Sequence, residues 1–270
     1  MTDLFELARD CLAACDSADK VSRTLAAAAL VHDGSYRLDA GAPAVAVVTP
    51  GRPDKPSLVH HSGLPGRKLG SEAGRKAFIH ALAHIEFNAI NLAWDAVLRF
   101  RGLPDAYYAD WVKVAGEEAL HFRMLNDRLN ELGSEYGDYP AHDGLWEMAA
   151  KTADDVLDRM ALVPRVLEAR GLDVTPAMIN RLQKCGDNKT AALLQRIYTD
   201  EIGHVETGSR WFRYVCRQRG LEPATKFRAI LVEYKMDRIK RPLNGAARAQ
   251  AGFDSNELCM LEEMAAGEAQ

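Results

Sequence analysis

The chain has 270 residues, of which 47% are hydrophobic and 27% are charged, which is enough to bury one large core. Its formal net charge of −4 excludes a strong global attraction to nucleic acid or to an anionic membrane surface. No apolar run reaches the roughly 18 residues that cross a bilayer, so we expect no membrane partner. Five cysteines without a CxxC pair, and an acidic N-terminus unlike a secretory leader, predict reduced thiols and a cytoplasmic location.

The first 70 residues predict two short helices followed by an extended arm. Apolar residues recur at helical spacing over 3–15 and 18–31. The stretch 33–70 is rich in proline and glycine, so we predict an arm with one short strand around Ala44–Val48. A connection of this length is unusual in a compact domain. We expect it to pack on the surface of the rest of the protein or to form part of the functional site.

A long helix with a carboxylate in its apolar stripe follows the arm. We predict that it begins after Ser71, a favourable N-cap residue, and ends near Arg101, before Gly102-Leu-Pro104. Glu86 lies in the middle of the apolar stripe. A lone buried carboxylate is costly, so Glu86 must be paired, protonated or bound to a metal ion.

The second and fourth predicted helices each carry a Glu-x-x-His motif. Glu118-Ala-Leu-His121 lies in the helix over 105–132, and Glu201-Ile-Gly-His204 lies in the helix over 188–219. This spacing puts the carboxylate and the imidazole on one face of a helix, about one turn apart. If the motifs were instead two surface pairs, each would stabilise its helix by only a few tenths of a kcal/mol. The apolar residues around both motifs favour a buried metal site instead.

The third helix carries a second single glutamate. We predict that it begins near Gly144 or Thr152 and includes Glu168. Pro164 should kink this helix, because proline removes a backbone donor and crowds the previous turn.

The remaining segments are less regular in pattern. Gly171 is typical of a helix end, so we predict a break over 171–175 and a further helix over 176–184. A fifth, peripheral helix is predicted over 223–240. The tail 241–270 contains proline and glycine, and we expect its end to be loose.

The spacing of these motifs predicts two similar helical hairpins. Glu86 and Glu118 are 32 residues apart, and Glu168 and Glu201 are 33 residues apart. We therefore predict an all-α fold with a four-helix bundle over 71–220, on which the segments 1–70 and 221–270 pack. Two lone glutamates and two Glu-x-x-His motifs on four helices are the ligand pattern of dinuclear carboxylate bundles. The six candidate metal ligands are Glu86, Glu118, His121, Glu168, Glu201 and His204.

Carboxylate and imidazole ligands suit two Fe ions, with Mn, mixed Mn/Fe or Zn as alternatives. Glu117 and Asp200 precede the two motifs, and each is a candidate to accept the ring N–H of the histidine on the facing helix. They are equally well explained as solvated surface acids. Tyr198, one turn before Glu201, is a candidate redox-active or hydrogen-bonding residue, although a buried tyrosine with an ordinary partner is the simpler interpretation.

A cluster of basic residues lies at the end of the predicted fifth helix. Such a run is usually a solvated face, but it is also the one local feature that suggests an RNA or phosphate contact. The sequence shows no glycine-rich phosphate loop, no Ser-His-Asp arrangement and no zinc-finger spacing. The basic residues are Lys235, Arg238, Lys240 and Arg241.

The order Glu, Glu-x-x-His, Glu, Glu-x-x-His resembles the ferritin-like superfamily. More closely, the chain resembles the bacterial family DUF455 from about residue 40 to 253, and that family has no settled activity. The resemblance implies the six ligands named above, with Glu118 and Glu201 bridging the metal ions. The strings that carry it are Pro50-Gly-Arg-Pro53, His80-Ala-Leu-Ala-His-Ile-Glu86, Glu117-Glu-Ala-Leu-His-Phe122, Met160-Ala-Leu-Val-Pro-Arg-Val-Leu-Glu-Ala-Arg-Gly171 and Asp200-Glu-Ile-Gly-His-Val205.

These features lead to the hypothesis of a di-iron or di-manganese oxidoreductase that activates O₂ to oxidise or hydroxylate an organic substrate. The substrate and the electron donor are not indicated by the sequence. Ferritin-like relatives include tRNA hydroxylases, so RNA modification is one alternative. A ferroxidase without an organic substrate and a bundle with a vestigial or zinc-filled site are two others. The arm and the C-terminal extension argue against iron storage, and the sequence is compatible with a homodimer.

Overall fold

The computed structural model describes residues 2–39 and 49–266, and nearly all regular structure within them is helical. This confirms the predicted all-α class. The predicted strand around Ala44–Val48 lies outside the described residues. The chain divides into two compact units, Met1–Ala150 and Lys151–Gln270. None of the described helices combines the length and the apolar character needed to cross a membrane.

Two short helices open the first unit, as predicted. Strand β1 (Thr2–Asp3) leads into helix α1 (Leu4–Ala13), and helix α2 (Ser17–His32) leads into strand β2 (Tyr36–Arg37). The two strands pair in parallel. The side chain of Asp3 accepts hydrogen bonds from the first backbone N–H groups of α1, which fixes where this helix begins.

The described part of the arm packs on the first unit. It contains one short 3₁₀ turn, His61–Gly63, and an isolated bridge joins Leu58 to Ala141. The backbone N–H of Gly51 donates to the carbonyl of Leu12 at 2.8 Å. A Cβ atom at position 51 would overlap the end of α1, so only glycine permits this close approach.

A long hairpin forms the centre of the first unit. Helix α3 (Glu72–Arg99) begins at its predicted cap, Ser71, and helix α4 (Asp105–Glu131) follows after a short glycine turn. The hydroxyl of Tyr107, at the start of α4, donates to the carbonyl of Ala96, near the end of α3, at 3.3 Å. The two helices are therefore antiparallel. Their bounds agree with the predicted ones to within two residues.

The second unit contains the other long hairpin, which is less regular. Helix α5 (Gly144–Lys151) ends the first unit, and helix α6 (Val156–Leu162) begins the second. A π-helical turn, Val163–Glu168, joins α6 to helix α7 (Ala169–Lys184), which is followed by helix α8 (Asn188–Gln218).

The predicted break over 171–175 is wrong, because Gly171 and Pro176 both lie inside α7. Pro176 has no N–H group and cannot donate to the carbonyl of Leu172 one turn earlier. The side-chain amide of Asn244 donates to that carbonyl instead, at 3.2 Å. A distant side chain thus replaces the hydrogen bond that proline removes.

The predicted kink at Pro164 takes the form of the π-helical turn. The backbone N–H of Ala169 donates to the carbonyl of Pro164, five residues earlier, as a π-helix requires. The ring of Pro164 lies against Gly208 of α8, where a Cβ atom would overlap it. Glycine at position 208 therefore allows α8 to approach the π-helical turn.

The C-terminal region is more ordered than we predicted. Helix α9 (Pro223–Glu233) ends before residue 240, since Lys235 adopts a left-handed conformation with φ of 56°. Two further helices, α10 (Gly245–Gln250) and α11 (Ser255–Ala266), lie in the tail 241–270, where we predicted no regular structure. The predicted loose end, 267–270, lies outside the described residues.

Candidate metal centre

Three of the candidate ligands lie together in the first unit. We call Glu86, Glu118 and His121 the first half-site. Nδ1 of His121 lies 3.2 Å from a carboxylate oxygen of Glu118 and 3.4 Å from one of Glu86. All three residues are buried, with exposed fractions of 4%, 0% and 1% in sequence order. Their potential ligand atoms lie within 4.8 Å of one another, which is close enough to bind one ion.

The hairpin explains why these side chains meet. Ile79, Ala83 and Ile90 share the face of α3 with Glu86 and are fully buried. Glu118 and His121 occupy the corresponding apolar face of α4. Because the two helices are antiparallel, the 32-residue interval brings the carboxylates to the same depth, as predicted for this hairpin.

The electrostatics of the first half-site indicate a deficit of positive charge. Burial, followed by the charge of Glu118, raises the pKa of Glu86 well above its usual range. Burial acts to lower the pKa of His121, but the two carboxylates outweigh it and raise this pKa to about 11. Two buried carboxylates thus lie against one imidazole, and Glu118 is hydrogen-bonded to it. A divalent cation would supply the missing charge.

The second unit holds the other three candidate ligands, which we call the second half-site: Glu168, Glu201 and His204. Nδ1 of His204 lies 3.7 Å from a carboxylate oxygen of Glu201 on the same face of α8. His204 is 1% exposed, and the side chain of Glu201 is 16% exposed. The motif therefore lies on a largely buried face of α8.

Glu168 is the last residue of the π-helical turn. The contact between Pro164 and Gly208 sets the register of this turn against α8. Glu168 therefore lies in a turn that packs against α8, the helix that carries Glu201 and His204. In sequence order, the second hairpin repeats the candidate ligands of the first: a single glutamate, then a Glu-x-x-His motif.

Two buried carboxylate oxygens make these residues suitable for a metal ion. Within the described residues, Oε2 of Glu86 and Oε2 of Glu201 are buried and accept no hydrogen bond. A buried carboxylate oxygen is normally satisfied by a donor, since leaving it without one is costly. A cation bound at each half-site would satisfy the oxygen there, so the donor set fits the predicted metal.

The two acids that precede the motifs contact basic residues on their own helices. Glu117 lies 3.8 Å from Lys113, and Asp200 lies 2.7 Å from Arg196. Their predicted hydrogen bonds to the histidines of facing helices stay a prediction.

Other polar residues have partners of their own. The hydroxyl of Tyr198 accepts a hydrogen bond from the side chain of Asn244 at 3.1 Å, and its redox role stays a prediction. On α3, Nε2 of His80 accepts the backbone N–H of Gly137 at 2.9 Å. These contacts give both side chains an ordinary structural role.

One buried ion pair beside the second half-site was not found from the sequence. Arg165, in the π-helical turn, donates to Glu257 of α11 at 2.5 Å, and both residues are fully buried. The sequence does show a charged residue, Arg165, beside Pro164 in an otherwise apolar run. It contains no pattern that would identify Glu257 as the partner of this arginine.

The comparisons with known proteins identify a family and add no activity. The chain is 45% identical over 221 residues to an uncharacterized protein of Haemophilus influenzae, covering 78% of this chain and 76% of that protein. No solved structure matches the chain. The model of a family described as "Protein of unknown function (DUF455)" matches residues 13–259. The chain therefore belongs to the DUF455 family.

Proposed function

We propose that the two half-sites together form one dinuclear metal centre, and that the protein is an oxidoreductase that uses this centre and O₂ to oxidise an organic substrate. The ferritin-like superfamily, whose ligand order the chain resembles, supplies the architectural precedent. We propose two Fe ions as the physiological metal, with Mn as the alternative, because both ions accept carboxylate and imidazole ligands.

The observation that carries this proposal is the packing of two buried carboxylates against one imidazole in the first half-site. Glu86 and Glu118 both lie within 3.4 Å of one imidazole nitrogen in a fully buried environment. Such an arrangement is costly in a structural core, where a buried charge is normally paired one to one. A metal site explains this cluster, because a bound cation needs anionic ligands to offset its charge.

The charge balance of the complete ligand set supports two divalent ions. Four carboxylates offset four positive charges, so the loaded centre would be near neutral and tolerable in a buried site. The four carboxylates and the two imidazoles would hold the ions. When bound, two redox-active ions would supply electrons for the reduction of O₂. The buried apolar faces of α3 and α4 would exclude water from the centre.

Metal stoichiometry and O₂ consumption test this proposal together. The protein is loaded anaerobically with Fe(II), the bound iron is counted, and O₂ uptake is then followed. We expect two ions per chain and rapid uptake of O₂ in the wild type. Glu118→Ala and Glu201→Ala, one from each half-site, should each lose bound iron and this uptake.

Glu206→Ala is the matched control. Glu206 lies on α8 close to Glu201, but it is exposed and lies 3.8 Å from Arg210 at the surface. This variant should bind two ions, as the wild type does. A wild type that takes up no stoichiometric metal, or a Glu118→Ala variant that still binds two ions, would refute the proposed function.

RNA modification is the second candidate, supported by the position of the basic residues. Lys235, Arg238 and Lys240 are exposed. Arg170, two residues after Glu168, donates to the carbonyl of Lys240 at 2.8 Å, so the basic loop lies beside the second half-site. Binding of tRNA that weakens with salt, and weakens further in Lys235→Ala and Arg238→Ala, would favour this substrate class. Equal binding by these variants would exclude it.

A further inference from the structure

The segment that carries Glu168 is held by the C-terminal residues of the chain. We call 240–257 the C-terminal clamp. It contacts the stretch 165–173 on both sides of Glu168 through buried and partly buried polar side chains. Neither contact is a continuation of the local helix, because the partners come from a distant part of the sequence.

On the N-terminal side of Glu168, the contact is the buried ion pair between Arg165 and Glu257. The guanidinium of Arg165 also lies 4.2 to 4.6 Å from three aromatic ring centres. The other carboxylate oxygen of Glu257 accepts the backbone N–H of Asp254 at 3.0 Å. Arg165 is therefore enclosed, and its position in the π-helical turn is fixed. The three rings belong to Phe212, Phe227 and Phe253.

On the C-terminal side of Glu168, the contacts come from two arginines. Arg248 donates two hydrogen bonds to the carboxylate of Asp173, at 2.9 and 2.8 Å. Arg170 donates to the backbone carbonyls of residues 240, 241 and 242, at 2.8 to 3.1 Å. The first turn of α7 is therefore held by C-terminal residues, as is the π-helical turn before it.

This bracketing matters because π-helix is rare and occurs mostly as a single turn inserted in an α-helix. Such a turn contains one more residue than the equivalent turn of an α-helix, so it can relax to regular α-helix. If the turn relaxed to α-helix, the residues on one side would rotate by about 100° relative to the other side. The side chain of Glu168 would then turn away from the face on which the π-helical turn now places it.

We propose that Arg165 and Glu257 are positioning residues that hold Glu168 in the orientation needed to bind metal, and that the C-terminal clamp exists for this purpose. This inference rests on the proposed function, in which Glu168 is a metal ligand. It assigns the C-terminal helices a role in the metal centre that none of the ligand motifs indicates.

A double-mutant cycle on Co(II) binding tests the proposal. Co(II) alone is titrated into the metal-free protein, and visible absorption reports both the affinity and the ligand geometry. Glu257→Gln keeps the shape of the side chain but removes its charge. We expect it to weaken binding of one of the two Co(II) ions about tenfold or more, and to change the spectrum as Glu168→Ala does.

The decisive readout is the combined variant. If Glu257 acts through Glu168, Glu257→Gln should have no further effect on affinity or spectrum in the Glu168→Ala background. Glu263→Gln is the matched control, since Glu263 lies on the same helix in an exposed pair with Arg228. It should bind Co(II) as the wild type does.

Three results would overturn the proposal. Glu257→Gln could bind Co(II) as Glu263→Gln does, or its effect could add fully to that of Glu168→Ala, which would indicate a general structural role. A wild type that binds no Co(II) would overturn the proposed function, and this inference with it. Should Glu257→Gln fail to fold by circular dichroism, Asp173→Asn replaces it in the same cycle, with the same two criteria.

Discussion

The two long hairpins carry the same order of candidate ligands but keep their shape by different means. The α3–α4 hairpin is uninterrupted, and its bounds are set by local signals such as the Ser71 cap. The α7–α8 hairpin contains Pro176 inside a helix and a π-helical turn before it. Its hydrogen bonds are completed by side chains of the C-terminal clamp.

This difference shows how each candidate ligand is positioned. Glu86 is placed by a regular helix, so its position follows from periodicity alone. Glu168 is placed by an irregular turn that distant residues stabilise. The second half-site is therefore more sensitive to changes elsewhere in the chain, and the following variants test this contrast.

The largest effect is expected where α8 contacts the π-helical turn. Gly208→Ala adds a Cβ atom that overlaps the rigid ring of Pro164, so unfolding free energy should fall by up to about 3 kcal/mol. Gly203→Ala, on the same helix with open space around its Cβ position, should gain up to about 1 kcal/mol from helix propensity. Urea unfolding measures both. Equal stability of the two variants would show that the close contact is unimportant.

The first hairpin should instead be sensitive to acid. Burial lowers the pKa of His80 from 6.5 to about 4, with Asp138 opposing this shift and Arg67 adding to it. Between these values the unfolded chain binds a proton that the native protein does not, so stability falls as the pH drops through this window. The protonated ring also cannot accept the N–H of Gly137.

His80→Gln tests this effect. The unfolding free energy of the wild type minus that of the variant should decrease by about 1 to 2 kcal/mol between pH 7 and pH 5. Between pH 7 and pH 8 the same difference should stay constant. A difference that does not change on acidification would contradict the buried neutral state of His80.

A smaller effect should come from the repaired hydrogen bond in α7. Asn244→Ala leaves the carbonyl of Leu172 without its donor and should lower stability. In a Pro176→Ala background the new backbone N–H can donate to that carbonyl. The cost of Asn244→Ala should then be smaller by about 1 kcal/mol. Additive effects in urea unfolding would show that the amide of Asn244 does not replace the missing donor.

The smallest effect is expected at the start of α3. The hydroxyl of Ser71 accepts the N–H of Gly74 at 3.2 Å, so Ser71→Ala should cost about 0.5 to 1 kcal/mol. Ser71→Gly should cost only a few tenths of a kcal/mol, because glycine also serves as an N-cap. Both are measured by thermal unfolding. A larger loss from glycine than from alanine would contradict a capping role.

The first hairpin was predictable because its signals are local. Ser71 marks its beginning and Gly133 marks its end, and both lie within a residue or two of the observed bounds. Glu86, Glu118 and His121 could be recognised from spacing, because a regular helix converts spacing directly into direction.

The second hairpin was predictable only in part, for a physical reason. Gly171 and Pro176 are strong local signals for a break, and in isolation they would produce one. The continuity of α7 depends on Asn244, which contacts it only in the folded protein. The pairing of Arg165 with Glu257 likewise has no sequence pattern, since buried ion pairs follow from tertiary packing.

The most direct test of the dinuclear centre is anomalous X-ray diffraction from crystals of the protein loaded anaerobically with Fe(II). The account predicts two iron peaks per chain, about 3.5 to 4 Å apart, that share ligands from both half-sites. The absence of an iron peak, or iron bound only by Glu86, Glu118 and His121, would contradict it.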